Sequence, residues 1–168
     1  MIRGKDRFMN DVAYKAFCLL KDKGLKISAA ESCTGGLFTK LLTDIPGSSA
    51  VLDLSMVTYA NEAKVKFLGV RDDSIKAHGV VSEEVACEMA RGIKGAFGAD
   101  IGIGITGIAG PDGGTAQKPV GLVWTAIAVG EKVYPAKLLL DGDREQIRIK
   151  TCEVVYGNLC NLIEEQNF

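Results

Sequence analysis

Apolar residues recur along this chain at two spacings, and the alternation between them predicts its layout. Phe8, Val12, Ala16, Phe17 and Leu20 fall on one helical face with Gly24 at the C-terminal stop, so the chain opens with an amphipathic helix. Ile27 to Ala30 is a short apolar run that reads as a strand, after which Leu37, Phe38, Leu41, Leu42 and Ile45 return to helical spacing. Asp53 to Tyr59 reads as a second strand, and Asn61 as the N-cap of a helix holding Glu62 to Leu68. A short turn-rich link, with room for a partly helical stretch, spans Gly69 to Gly79. Ser82, with Glu84 close behind, is an N-terminal signature before Val85, Ala86, Met89, Ala90, Ile93 and Phe97, the clearest helix in the sequence.

From Asp100 to Thr106 isoleucine alternates with glycine, a strand whose bare face lets another backbone approach closely. Leu122 to Val129 is apolar on both faces, as a central strand covered on each side requires. Val133 to Leu140 is its hairpin partner, turned at Gly130 and pushed toward an edge by Pro135. Asp143 to Glu165 closes the chain as a helix with Ile147, Thr151, Val154, Val155, Leu159 and Leu162 inward. No repeat or linker divides residues 1–168, so one domain is expected, of the α/β class: a three-layer α/β/α sandwich with a mixed, mostly parallel sheet.

Composition narrows the partners. A chain of 168 residues with 47% hydrophobic and 24% charged residues can fill one core and resembles an ordinary soluble domain. A formal net charge of -1 supplies no general attraction for phosphate backbones, which disfavours nucleic acid and points to a small-molecule partner. Five cysteines without a Cys-x-x-Cys pair support neither a disulfide framework nor a zinc site, so no metal is expected and a cytoplasmic location is the simplest. No run approaches the ~20 apolar residues of a membrane span, and the first ten residues carry no targeting pattern.

Candidate chemistry concentrates in Ala29 to Gly36, which places Ser32 and Cys33 where a strand turns into a helix. Free backbone NH groups at such an entrance attract an anion or a developing oxyanion, so a nucleophile there suggests acyl transfer. A serine needs a base. The single histidine, His78, reads as an ordinary residue at a helix C-terminus, which leaves a neutral lysine as the better candidate. Lys64 would lie in the first turn of its helix, where the dipole and any burial disfavour its charge, although Lys66 has equal claim by composition. An ordinary lysine, with pKa ~10.4, would be almost wholly protonated near neutrality, so a lowered pKa is required. Tyr59, at the end of the second strand, could bring its phenol to the same strand-end crevice, and Cys33 rivals Ser32 as nucleophile. The glycine-rich stretch Gly107 to Thr115 could form an amide nest for an anion, though it matches neither a Walker A nor a dinucleotide fingerprint. Arg144 and Arg148, one turn apart, are a candidate phosphate clamp.

Four segments together resemble one family: Ala-Glu-Ser-Cys-Thr-Gly-Gly at 30 to 36, Thr-Tyr-Ala-Asn-Glu-Ala-Lys at 58 to 64, His-Gly-Val-Val-Ser-Glu at 78 to 83, and Gly-Ile-Ala-Gly-Pro-Asp-Gly-Gly at 107 to 114. The chain is similar over nearly its whole length to the nicotinamide-nucleotide amidases, the CinA C-terminal domain family, in the stand-alone form. The resemblance implies hydrolysis of the carboxamide of nicotinamide mononucleotide to nicotinate mononucleotide and ammonia, in pyridine-nucleotide recycling. It implies a catalytic Ser32 and Lys64 assisted by Tyr59, with no cofactor. The expected substrate contacts are Thr34, Gly35, Gly36, Ser48, Ser49, Asn61, Thr106, Gly107, Ile108, Ala109, Gly110 and Arg144. Two departures stand out: Ala60 where the family usually has serine, and Leu54 and Ser55 where glycine or Arg-Gly is usual. A non-catalytic nucleotide sensor and a Cys33-dependent amidase or esterase are the rival readings. A homodimer or higher homo-oligomer, common among enzymes of this size, is the expected assembly.

Overall fold

The computed structural model describes residues 4–165, with side chains described from residue 11 onward, so the inward placement expected of Phe8 falls outside the described side chains. In chain order the elements are α1 (Gly4–Lys23), β1 (Ile27–Glu31), α2 (Leu37–Thr43), a 3-10 turn (Ser48–Ala50), β2 (Leu52–Val57), α3 (Asn61–Leu68), α4 (Asp72–His78) and α5 (Glu83–Phe97). They continue with β3 (Ile101–Gly107), β4 (Leu122–Val129), β5 (Lys132–Leu139) and α6 (Arg144–Glu165).

The sheet has the order β2-β1-β3-β4-β5. β1 pairs in parallel with β2 and β3, whereas β4 pairs antiparallel with β3 and β5. Only β4 therefore runs against the other four strands. Helices α1, α2 and α6 cover one face over Ile27, Ala29, Ile101, Ile103 and Ile105. Helix α5 covers the other, with α3 and α4 packed beside it over Ala30, Leu68, Val70, Val85, Met89 and Ile93. The result is a three-layer α/β/α sandwich.

The alternation in β3 explains how closely the second layer sits. Its isoleucines all point toward the first core, and a Cβ added at Gly102 or Gly104 would fall 2.1 Å from the Ala90 carbonyl oxygen or 2.3 Å from that of Ala86. Both distances are far below contact, so only glycine lets the α5 backbone lie there. Ser82 caps α5 by accepting from the Val85 amide at 3.4 Å, and Val85, Ala86, Met89, Ala90 and Ile93 are buried as the spacing predicts. Phe97 is a correction: it is the last helical residue, beyond the sheet, and is 67% exposed.

This topology creates one natural crevice. From β1 the chain passes through α2, on the first face, to reach β2, whereas β2 reaches β3 through helices of the second face. The connections diverge at the carboxyl ends of β1, β2 and β3, where open α/β sheets bind ligands. None of the described helices is long and apolar enough to cross a membrane.

Candidate active site

Ser32 follows the last residue of β1 and stands at the crevice. The turn from Ser32 to Gly36 is held by its own backbone, with the Gly35 amide donating to the Ser32 carbonyl at 3.0 Å and the Leu37 amide to that of Thr34 at 3.1 Å. Gly36, at φ +91°, occupies the N-cap position of α2 in a left-handed conformation that suits glycine. The helix entrance is not open to a ligand, contrary to the expectation from sequence. The amides of Gly36, Phe38 and Thr39 all donate to the carboxylate of Glu31, at 2.9, 3.2 and 2.9 Å. Glu31 is fully buried, and it takes the place the oxyanion was expected to occupy.

Lys64 reaches the same point from α3. Its Nζ lies 3.2 Å from Ser32 Oγ and donates to the carbonyls of Thr58 at 2.7 Å and Tyr59 at 3.3 Å. Only 1% of the residue is exposed, and burial lowers its pKa below the ordinary lysine value. Lys66, the compositional rival, points elsewhere, with its ammonium 5.4 Å from the Phe67 ring centroid. Asn61 is not the N-cap: Ala60, extended at φ −78° and ψ 153°, holds that position without a side-chain cap, and Asn61 is the first helical residue. The alanine that departs from the family pattern thus sits where a serine would cap the helix carrying Lys64. The second departure also has a local role, because the Ser55 and Thr39 hydroxyls hydrogen-bond, extending the network around Glu31.

Cys33 is 95% buried in the first core, and desolvation pushes its thiol up to about 12. Such a thiol stays protonated near neutrality and is a poor nucleophile. His78 ends α4, with Nδ1 3.4 Å from a Glu84 carboxylate oxygen.

Beside Ser32 lies a cleft of about 280 Å³, near the lower end of the roughly 300–1,000 Å³ usual for small-ligand sites. Ser32, Tyr59, Asn61, Thr106, Gly107, Ile108, Ala109, Gly110 and Arg144 all line it, joined by Cys33, Val80, Val81, Asp112 and Gly113. Arg144 ties two of its walls together: one nitrogen donates to the Gly110 carbonyl at 2.8 Å and another to the Tyr59 phenol at 3.2 Å. Thr106 is buried and donates to the Val80 carbonyl at 3.0 Å. Among the described hydrogen bonds, none uses the amides of Ala109 or Gly110.

Other expected contacts are not brought there. Ser48 and Ser49 precede β2 at the opposite end of the sheet, where Lys26 Nζ donates to the Ser49 carbonyl at 3.4 Å. The five residues of β1 separate them from Ser32 by roughly 16 Å at ~3.3 Å per residue. Thr34, Gly35 and Gly36 form the back of the Ser32 turn rather than the cleft lining. The Thr34 hydroxyl is buried without a partner. Its carbonyl accepts from Arg148 through Nε at 3.1 Å and Nη2 at 2.7 Å, so Arg148 holds the turn instead of joining Arg144 as a phosphate clamp. Sequence reasoning overlooked Glu31, whose one signal was a carboxylate ending an apolar strand.

Comparison with known proteins gives a consistent picture. The family model for the CinA C-terminal domain matches residues 9–163. A nicotinamide-nucleotide amidohydrolase PncC from Enterobacter agglomerans is 46% identical over 146 residues, covering 86% of this chain and 89% of that protein. A competence-damage inducible protein from Caldanaerobacter subterraneus is 48% identical over 146 residues; the match takes in 87% of this chain but only 35% of that longer protein. Among solved structures, a competence damage-inducible protein A from Klebsiella pneumoniae superposes with a TM-score of 0.91 at 31% identity, covering 95% of this chain and 99% of the other. The competence/damage inducible protein CihA from Agrobacterium tumefaciens gives 0.90 at 37% identity, covering 98% of this chain and 99% of the other.

Proposed function

The chain belongs to the CinA C-terminal domain family, and on that premise we propose that it is an amidohydrolase acting on nicotinamide mononucleotide, with Ser32 as nucleophile and Lys64 as base. The observation that carries the reading is the buried Lys64 amine within 3.2 Å of the Ser32 hydroxyl. Carbonyl oxygens only accept, so the Thr58 and Tyr59 carbonyls take two N–H groups of Lys64. A neutral amine then has one lone pair left, directed at the Ser32 hydroxyl, which donates to it. Burial favours that neutral form.

In the proposed reaction Lys64 takes the Ser32 proton as Oγ bonds to the carboxamide carbon. The resulting ammonium of Lys64 stands beside the oxyanion, with the Ala109 and Gly110 amides as further donors in the cleft. The C–N bond breaks as the leaving nitrogen receives the proton held by Lys64, directly or relayed through the Tyr59 phenol, which releases ammonia, leaves an ester on Ser32 and returns Lys64 to its neutral form. Water, deprotonated by the same base, cleaves that ester to a carboxylate and restores the hydroxyl. Arg144 holds the nucleotide phosphate together with the glycine-rich loop, and Asn61 borders the pocket. No step calls for a metal or redox cofactor. The product, nicotinate mononucleotide, would re-enter pyridine-nucleotide synthesis.

Incubation of the protein with nicotinamide mononucleotide, with ammonia and nicotinate mononucleotide both quantified, tests the reading. Equal amounts of the two products are expected. Saturable binding with neither product would favour the sensor reading instead.

A further inference from the structure

Glu31 has no part in the proton transfers above, yet it is fully buried immediately before Ser32. Its carboxylate accepts four hydrogen bonds. Oε2 takes the Gly36 and Phe38 amides at 2.9 and 3.2 Å, and Oε1 takes the Thr39 amide and hydroxyl at 2.9 and 2.7 Å. A buried charge is tolerated only when it is this fully satisfied. Capping alone would not require it, since a serine, threonine or aspartate at the N-cap serves helices generally. Here the N-cap is Gly36, and the cap is supplied from the strand. One side chain thereby closes the Ser32-to-Gly36 turn into a ring, fastened at the end of β1 and at the first turn of α2.

Resting on the reading of Ser32 as nucleophile, we propose that Glu31 is a positioning residue: its carboxylate locks the Ser32 turn onto α2 and so keeps Ser32 Oγ within hydrogen-bond reach of Lys64 Nζ. Arg148 secures the turn from the opposite side, through the Thr34 carbonyl. Glu31 does not line the cleft, so its loss displaces the nucleophile without removing a substrate contact. The effect therefore falls on kcat and spares KM.

Glu31→Gln is nearly isosteric but carries an NH2 group where one carboxylate oxygen was. In either orientation that group faces a backbone N–H, of Thr39 or of Gly36 and Phe38, and the turn must shift. Misplacement of a reacting group by ~1 Å costs about 100-fold. The test compares the full chain with E31Q and with T39V, a milder change that removes one of the four donors. Each is measured for kcat and KM on nicotinamide mononucleotide and for amide hydrogen exchange at Gly36, Phe38 and Thr39. The expected result is a kcat lowered about tenfold or more in E31Q and less in T39V, KM within about threefold, an unchanged pH limb, and faster exchange at the three amides. A kcat within about twofold of wild type in E31Q, or KM rising as kcat falls, overturns the proposal. Unaltered amide exchange in both variants overturns it as well, with or without turnover. A wild-type protein that releases no ammonia refutes the amidase reading, which is separate from the exchange result. Should E31Q fail to fold, T39V with unaltered kcat and exchange overturns the proposal on its own.

Discussion

Replacing Lys64 with methionine separates its charge state from any question of substrate. Methionine fills much of the same volume but cannot be protonated, so the variant lacks whatever pH dependence Lys64 confers on folding. Because burial lowers the lysine pKa in the folded state, the unfolded chain binds one more proton than the folded chain between that lowered value and the ordinary ~10.4. Stability of the wild type must therefore rise with pH across this window, by up to about 1.4 kcal/mol per pH unit relative to the variant. Below the folded-state pKa both states carry the proton and the difference is constant. The assay is denaturant unfolding of both proteins at steps from neutral pH to about pH 10. Parallel stability curves would mean that Lys64 keeps its proton in the folded protein, and its role as base would fall. Turnover supplies a second reading, since loss of a general base lowers kcat by roughly 10²–10⁴-fold.

Three further outcomes follow from local geometry. Ala60→Ser should cap α3 and raise stability by about 1 kcal/mol, measured as a higher midpoint in denaturant at unaltered m-value. Gly104→Ala should destabilise by at least ~1–3 kcal/mol, read as a lower Tm, because its Cβ would lie 2.3 Å from the Ala86 carbonyl oxygen on a helix that cannot retreat alone. Arg144→Ala should raise KM for the nucleotide roughly 10- to 100-fold with a smaller change in kcat, as expected for ~1.5–3 kcal/mol of charge-assisted bonding; steady-state kinetics decide it.

The elements of this fold were readable because burial leaves a pattern in the sequence, a period where one face is covered and an unbroken apolar run where both are. The 3.6-residue repeat before Phe97 and the glycine-isoleucine alternation of β3 both record the packing of α5 on the sheet. Phe97 itself misled, since a periodic pattern does not announce where the sheet beneath it ends. The site was less readable because it is made by juxtaposition. Ser32 and Lys64 are 32 positions apart, and only the pairing of β1 with β2 brings their side chains together. The same topology explains the error over Ser48 and Ser49. Residues just after α2 return to the start of β2, and hence to the far end of the sheet. A helix entrance looks like an anion site in any sequence, yet its donors had already been consumed by Glu31, whose partners lie five to eight residues on.

Ammonia release from nicotinamide mononucleotide by wild type, Ser32→Ala and Cys33→Ala in parallel is the most direct test of the central claim, that Ser32 performs the attack. Loss of turnover in Ser32→Ala, with Cys33→Ala retaining activity within a few-fold, is the predicted result. Full activity in Ser32→Ala would contradict the account, and its loss in a folded Cys33→Ala alone would transfer the attack to the buried thiol.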